Sequence, residues 1–198
     1  MSNSQQVLEI AREAGVVRAK DIVSHGIHPS VLQRLERQGL LLKSGRGLYT
    51  AVEANITEHH SLVEAVKRVP HGVICLLSAL SFYELTTQAP FAVWIAISQK
   101  ARRPKDTLLP LRIVYMSGKA LNAGIEEHQI EGVSVQVYCI AKTIADCFKY
   151  RNKIGLDVAL EALREVWREK KCSTDELWHY AKICRVQNVM LPYLESLA

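Results

Sequence analysis

Residues 18–50, RAKDIVSHGIHPSVLQRLERQGLLLKSGRGLYT, limit the possible folds more than any other stretch. The spacing predicts a short helix over Ala19–Ser24, burying Ile22 and Val23 and ending before Gly26. His28-Pro29 opens the next helix, where proline is tolerated because its missing N–H would have no intrahelical partner. Gly39 closes it. Leu40–Leu42 and Leu48–Thr50 are strand-like runs on either side of Lys43-Ser44-Gly45-Arg46-Gly47. Two glycines there allow a tight hairpin with cations at its tip. Upstream, Val7, Leu8, Ala11 and Ala14 lie on one face of a helix from Gln5 that Gly15 ends. A helix, a helix-turn-helix and then a hairpin make a winged helix-turn-helix, which sets a helix and a basic wing on duplex DNA.

The third helix carries the chemistry. Ser30, Gln33, Arg34 and Arg37 stand at i, i+3, i+4 and i+7 and form one polar stripe, with Val31, Leu32 and Leu35 opposite. Arginine can fork onto guanine or phosphate, and glutamine can pair with adenine in the major groove. A solvated helix face would show the same stripe, and the basic hairpin directly after it favours DNA. Arg18, Lys43 and Arg46 join the stripe as candidate DNA contacts. Residues 1–55 hold seven Lys/Arg against five Asp/Glu, a net charge of +2 within a whole-chain charge of +5. So modest an excess suits a small module bound as a dimer or on tandem sites.

The 198-residue length fits two domains, 1–55 and 56–198, with the boundary near Ala51–Thr57. No signal-peptide core and no membrane-length apolar run are present, so a cytoplasmic location and no membrane partner are expected. The five cysteines include no CxxC pair, and the spacing of Cys172, His179 and Cys184 matches no common zinc pattern. No metal or cofactor is expected. His59-His60 point in different directions on a helix and suit a capping or surface role.

Beyond the boundary, His60–Val69 reads as a helix that Pro70-His71-Gly72 terminates. Val73–Leu85 reads as a buried helix whose first residues suit a strand equally well. Phe91–Ile97 is a strand covered on both faces, and Leu111–Tyr115 and Val133–Tyr138 are half-exposed strands. The proline-bounded loop after the first of these is basic, with Lys100, Arg102, Arg103 and Lys105. It is either solvated surface or a contact to nucleic acid or an acidic partner. From Ile140 the period becomes helical. Helices are expected over Ile140–Tyr150, Leu156–Lys170, Thr174–Cys184 and Val186–Ser196, and Leu156, Ala159, Leu160 and Leu163 mark a buried face. The fold class is α+β: a winged helix-turn-helix followed by a mixed α/β domain with a small sheet and a helical C-terminal part.

Several segments together resemble the AbiEi-type antitoxins of type IV toxin–antitoxin (abortive-infection) systems. Arg18-Ala-Lys-Asp-Ile-Val through Gly26-Ile27, Leu35-Glu-Arg-Gln-Gly39-Leu40 and Gly45-Arg-Gly-Leu-Tyr49 are similar to that family's DNA-reading end. Ser78-Ala79-Leu80, Gln88-Ala-Pro90, Ala141-Lys-Thr143-Ile-Ala-Asp146-Cys147 and Gly155-Leu-Asp157-Val-Ala159-Leu160 are similar to its second domain. The resemblance implies an N-terminal domain that binds promoter inverted repeats and represses its operon. It also implies a C-terminal domain that carries antitoxin activity and contributes to DNA binding. The implied partner is a nucleotidyltransferase toxin, countered functionally if not by contact. Some members of the wider family are stand-alone regulators.

Three functions remain open on the residues themselves: a repressor that is also an antitoxin, a regulator whose second domain senses a ligand or protein partner, and an enzyme. The protein is expected to be a monomer in solution or a homodimer on DNA. An enzyme needs convergent acids or a nucleophile–base pair. Glu126-Glu127-His128, read as a loop between strands, has no metalloprotease pattern. Asp146 and Asp157 fall on different helices, and Asp146 is better explained as a partner of Thr143 or of a nearby cation. No catalytic residue is assigned.

Overall fold

A computed structural model of the chain describes residues 2–45, 47–52, 57–104 and 109–197. Arg46 and Lys105, both expected DNA contacts, lie outside the described residues. The chain forms two compact units. The first comprises Met1–Pro70 with Pro104–Pro110 and His128–Val135; the second comprises His71–Arg103, Leu111–Glu127 and Gln136–Ala198. This division differs from the expected 1–55 and 56–198: the helix after residue 55 and two later segments count with the N-terminal unit.

In the first unit, α1 (Asn3–Glu13) begins at Ser2, whose hydroxyl accepts from Gln5 N–H while the Gln5 side chain accepts from Ser2 N–H. This reciprocal pair satisfies two donors that a helix start leaves free. Next come β1 (Val16–Arg18), α2 (Ala19–Ser24), α3 (Ser30–Arg37), β2 (Leu41–Gly45) and β3 (Leu48–Ala51). The three strands form an antiparallel sheet in the order β1-β3-β2. Strand β1 is an addition to the expected elements; three residues are too few to show a period. Val7, Ala11, Val17, Ile22, Leu32, Leu35, Leu41 and Tyr49 build the core. Val23 was expected to be buried and is 54% exposed, because Ile22 takes the inward position and adjacent helical residues face different ways. α4 (His60–Arg68) buries Leu62, Val63, Ala65 and Val66.

The second sheet has five strands in the order β6-β5-β4-β8-β7. They are β4 (Val73–Ile74), β5 (Val93–Ser98), β6 (Leu111–Met116), β7 (Ile125–Ile130) and β8 (Val133–Tyr138). β5 runs antiparallel to β4 and parallel to β6, and β4 is parallel to β8. The Val73–Leu85 segment therefore divides into a two-residue strand and α5 (Leu76–Phe82). Glu126-Glu127-His128 is no loop but the middle of β7. As a sheet edge with a polar centre, β7 shows no apolar alternation. The four-residue α6 (Lys119–Asn122) was also unexpected.

α7 (Ile140–Lys149) is the centre of the second unit: every residue from Ala141 to Phe148 is buried. A helix apolar or paired on every face belongs inside a core, and α7 packs against α5, α9 (Leu156–Glu169), α10 (Thr174–Cys184) and α11 (Gln187–Glu195). A short α8 (Arg151–Ile154) sits between α7 and α9. The buried face of α9 is Val158, Ala159, Ala162, Leu163 and Val166; Leu156 and Leu160 are only partly buried against the core. Among the described residues no helix is long and apolar enough to cross a membrane.

Candidate nucleic-acid interface

Helix α3 separates its two faces as its spacing predicts. Val31, Leu32 and Leu35 are buried, while Ser30, Gln33, Arg34 and Arg37 are exposed. Two local devices that the stripe did not reveal hold this surface. The imidazole of His28 accepts the Ser30 backbone N–H at 3.2 Å, and its Nδ1 lies 2.8 Å from the Ser30 hydroxyl. The histidine, not Pro29, thus satisfies a donor at the helix start. Arg34 donates from Nη2 to Ser4 Oγ at 2.5 Å, tying α3 to the first turn of α1. The remaining donors of the guanidinium stay on the exposed face.

The hairpin β2–β3 follows directly. Lys43 is exposed on β2, and Leu42 beside it is 59% exposed. The register shifts between Lys43 and Gly45, a bulge that bends the strand before the turn. Gly47 holds φ +70°, a left-handed conformation that costs a side-chain-bearing residue about 1 kcal/mol or more. Gly45 is required for space: a Cβ there would stand 2.8 Å from Arg68 Nη2. Arg68, at the end of α4, is buried, donates to the Ser44 carbonyl and pairs with Glu64 at 3.6 Å. An arginine more than twenty residues downstream therefore fixes the base of the hairpin, and no sequence signal links the two.

Arg18 ends β1 half-buried, with its backbone N–H donating to Asp21 at 3.0 Å. The same carboxylate oxygen also accepts from the ammonium of Lys67 in α4, at 3.4 Å. Lys100, Arg102 and Arg103 lie on an exposed stretch after β5 and belong to the second unit, so the candidate contacts divide between the two units.

The same unit as α3 holds a buried acid. Glu131 is left-handed at φ +50° in the β7–β8 turn, and its side chain is only 3% exposed. Its carboxylate accepts from the Thr57 N–H and hydroxyl at 2.7 and 2.9 Å and lies 2.7 Å from His60 Nδ1. Burial works to raise its pKa, but the Thr57 and His60 contacts outweigh it and hold the carboxyl below its ordinary value.

The Thr143–Asp146 segment is interior. Lys142 and Asp146 form an ion pair one turn apart, both buried. The Lys142 ammonium stands 4.0 Å from the Tyr138 ring centre, Thr143 donates to the Tyr138 carbonyl at 3.0 Å, and Cys184 donates to Asp146 at 3.2 Å. The expected cation beside Asp146 is Lys142. Burial raises the carboxyl of Asp146, and Lys142 opposes that shift. Glu126 accepts from the Tyr83 hydroxyl at 2.8 Å.

Residues 5–52, which hold α1 through most of β3, match the profile of the AbiEi antitoxin transcriptional regulators. The match lies within the N-terminal part of the chain. This AbiEi match covers the elements that carry Ser30, Gln33, Arg34, Arg37 and Lys43. No curated protein matches the chain significantly. Among solved structures, the RV2827C protein from Mycobacterium tuberculosis is similar over 91% of this chain and 71% of its own, with a TM-score of 0.64 and 16% identity. The chain and that protein thus share a fold that extends beyond the matched segment.

Proposed function

We propose that the protein is a sequence-specific DNA-binding repressor whose first unit is a winged helix-turn-helix: α3 is the recognition helix and the β2–β3 hairpin the wing. The observation that carries this reading is the exposed Gln33, Arg34 and Arg37 stripe on a helix whose other face is locked into the core. Arginine and glutamine supply the forked donors that major-groove bases accept. Ser30, Lys43 and Arg18 join the stripe in the first unit, and Lys100, Arg102 and Arg103 are further exposed cations in the second unit. The AbiEi-type match supports a target in the promoter of the protein's own operon, at inverted repeats read by two copies.

In this reading the protein is also an antitoxin to a nucleotidyltransferase toxin encoded beside it, and it is not itself an enzyme. Asp146, a buried acid of the second unit, is closed off from solvent and engaged by Lys142 and Cys184. A gel shift with the chain's own upstream DNA tests the repressor. Retarded migration that unrelated DNA does not compete away is expected, and equal competition overturns it. Co-expression with the adjacent gene product tests the antitoxin; unrelieved growth arrest leaves a stand-alone regulator.

A further inference from the structure

The second unit carries a basic cleft that the DNA reading does not use. Its volume is about 630 Å³, within the range of small-ligand sites. Four cations line it: Lys119 of α6, Lys149 at the end of α7, Lys182 in the last turn of α10, and Arg185 just beyond. Ser117 adds a hydroxyl and Ile183 an apolar wall, and among the described residues no carboxylate lines it.

Cations in a helix's last turn offset its dipole, which accounts for Lys149 and Lys182 singly. It does not account for cations of three different helices, Lys119 of α6, Lys149 of α7 and Lys182 with Arg185 at the end of α10, lining one concavity. Arg185 also holds a left-handed backbone, φ +60°, at a helix end where glycine is favoured. None of the four forms an ion pair among the described residues; Lys182 stands 5.9 Å from the Trp178 ring centre, and Lys149 acts on the buried Asp146 only through its field. Like charges converging on one concavity repel, and a bound anion relieves that repulsion.

We infer that this cleft binds a compact polyphosphate anion, the phosphate chain of a nucleotide or its inorganic counterpart. Several closely spaced negative oxygens match four convergent cations, whereas the one hydroxyl and sparse apolar wall offer little to a large organic ligand. The inference is independent of DNA binding by α3.

The test is calorimetric titration of the full chain with sodium tripolyphosphate and, separately, with a nucleoside triphosphate, both without divalent metal. Saturable binding of tripolyphosphate to one site is expected. The combined Lys119→Gln, Lys182→Gln, Arg185→Asn variant should lose at least tenfold in affinity. Asparagine is chosen because it tolerates the left-handed position. Arg164→Gln, an exposed cation on α9, should bind as wild type does. Should the combined variant melt early, Lys182→Gln alone should still weaken binding several-fold. Equal affinity for both probes assigns the site to the phosphate chain, and tighter nucleotide binding adds a contact to the nucleoside; either supports the inference. No saturable tripolyphosphate binding, an unaffected cleft variant, or an equal loss in Arg164→Gln overturns it. So does a short single-stranded RNA that binds through these cations while tripolyphosphate does not.

Discussion

His60 Nδ1 lies 2.7 Å from a carboxylate oxygen of Glu131, a residue 71 positions further along the chain. The contact joins the start of α4 to the β7–β8 turn, and Thr57 saturates the other carboxylate oxygen. Glu131 is thus the electrostatic knot of the first unit.

That knot makes acid stability a test of the fold. A carboxyl held below its ordinary value stabilises the folded chain at pH above the unfolded value, about 4.3 for glutamate, and the contribution disappears as pH falls through the folded value. Melting temperature should therefore decline steeply below about pH 4.3 in wild type. Glu131→Gln should be less stable at neutral pH and show a shallower acid decline. Parallel melting profiles from pH 3 to 7 would remove Glu131 from this role.

Arg34→Ala should weaken specific operator binding by about 1–3 kcal/mol if the arginine reads a base. A uniform loss on all sequences, with a salt slope smaller by about 1, would make it a phosphate contact. Ser4→Ala releases the Arg34–Ser4 bond and should lower specific affinity less than Arg34→Ala does. Unchanged operator affinity in Arg34→Ala would exclude this side chain from the interface.

Gly45→Ala should displace the Arg68 guanidinium, because the new methyl would stand 2.8 Å from Nη2. Faster amide exchange in β2 and β3 is expected, with lower DNA affinity and an intact second unit. Arg68→Met should reproduce the faster exchange. If hairpin exchange is unaltered in both variants, Arg68 does not fix the hairpin.

Removing one partner from the Lys142–Asp146 pair leaves a buried charge uncompensated. Asp146→Asn should cost on the order of 3–5 kcal/mol, read from urea unfolding. A combined Lys142→Met, Asp146→Leu variant should recover much of that loss, since apolar residues of similar size can replace a buried pair. A metal-dependent nuclease or nucleotidyl-transfer activity in wild type, abolished in Asp146→Asn with the fold intact, would instead make Asp146 catalytic.

The parts legible from residue order are those with a local period or a local stop. The buried Val31, Leu32 and Leu35 and the exposed Gln33, Arg34 and Arg37 follow from 3.6 residues per turn. Thr174–Cys184 is bounded as expected because Ser173 and Glu176 form a reciprocal cap within four residues. Two glycines and flanking apolar runs marked the β2–β3 hairpin.

Tertiary structure decided the rest. β1 is a strand because it pairs with β3, over thirty residues away, and β7 because it completes a sheet edge. Neither segment is long or alternating enough to declare itself. Arg68 beneath the hairpin, His60 on Glu131 and the four cations of the basic cleft come together only through long-range packing. A side chain's period reports which way it faces, and only the folded chain reports what it meets there.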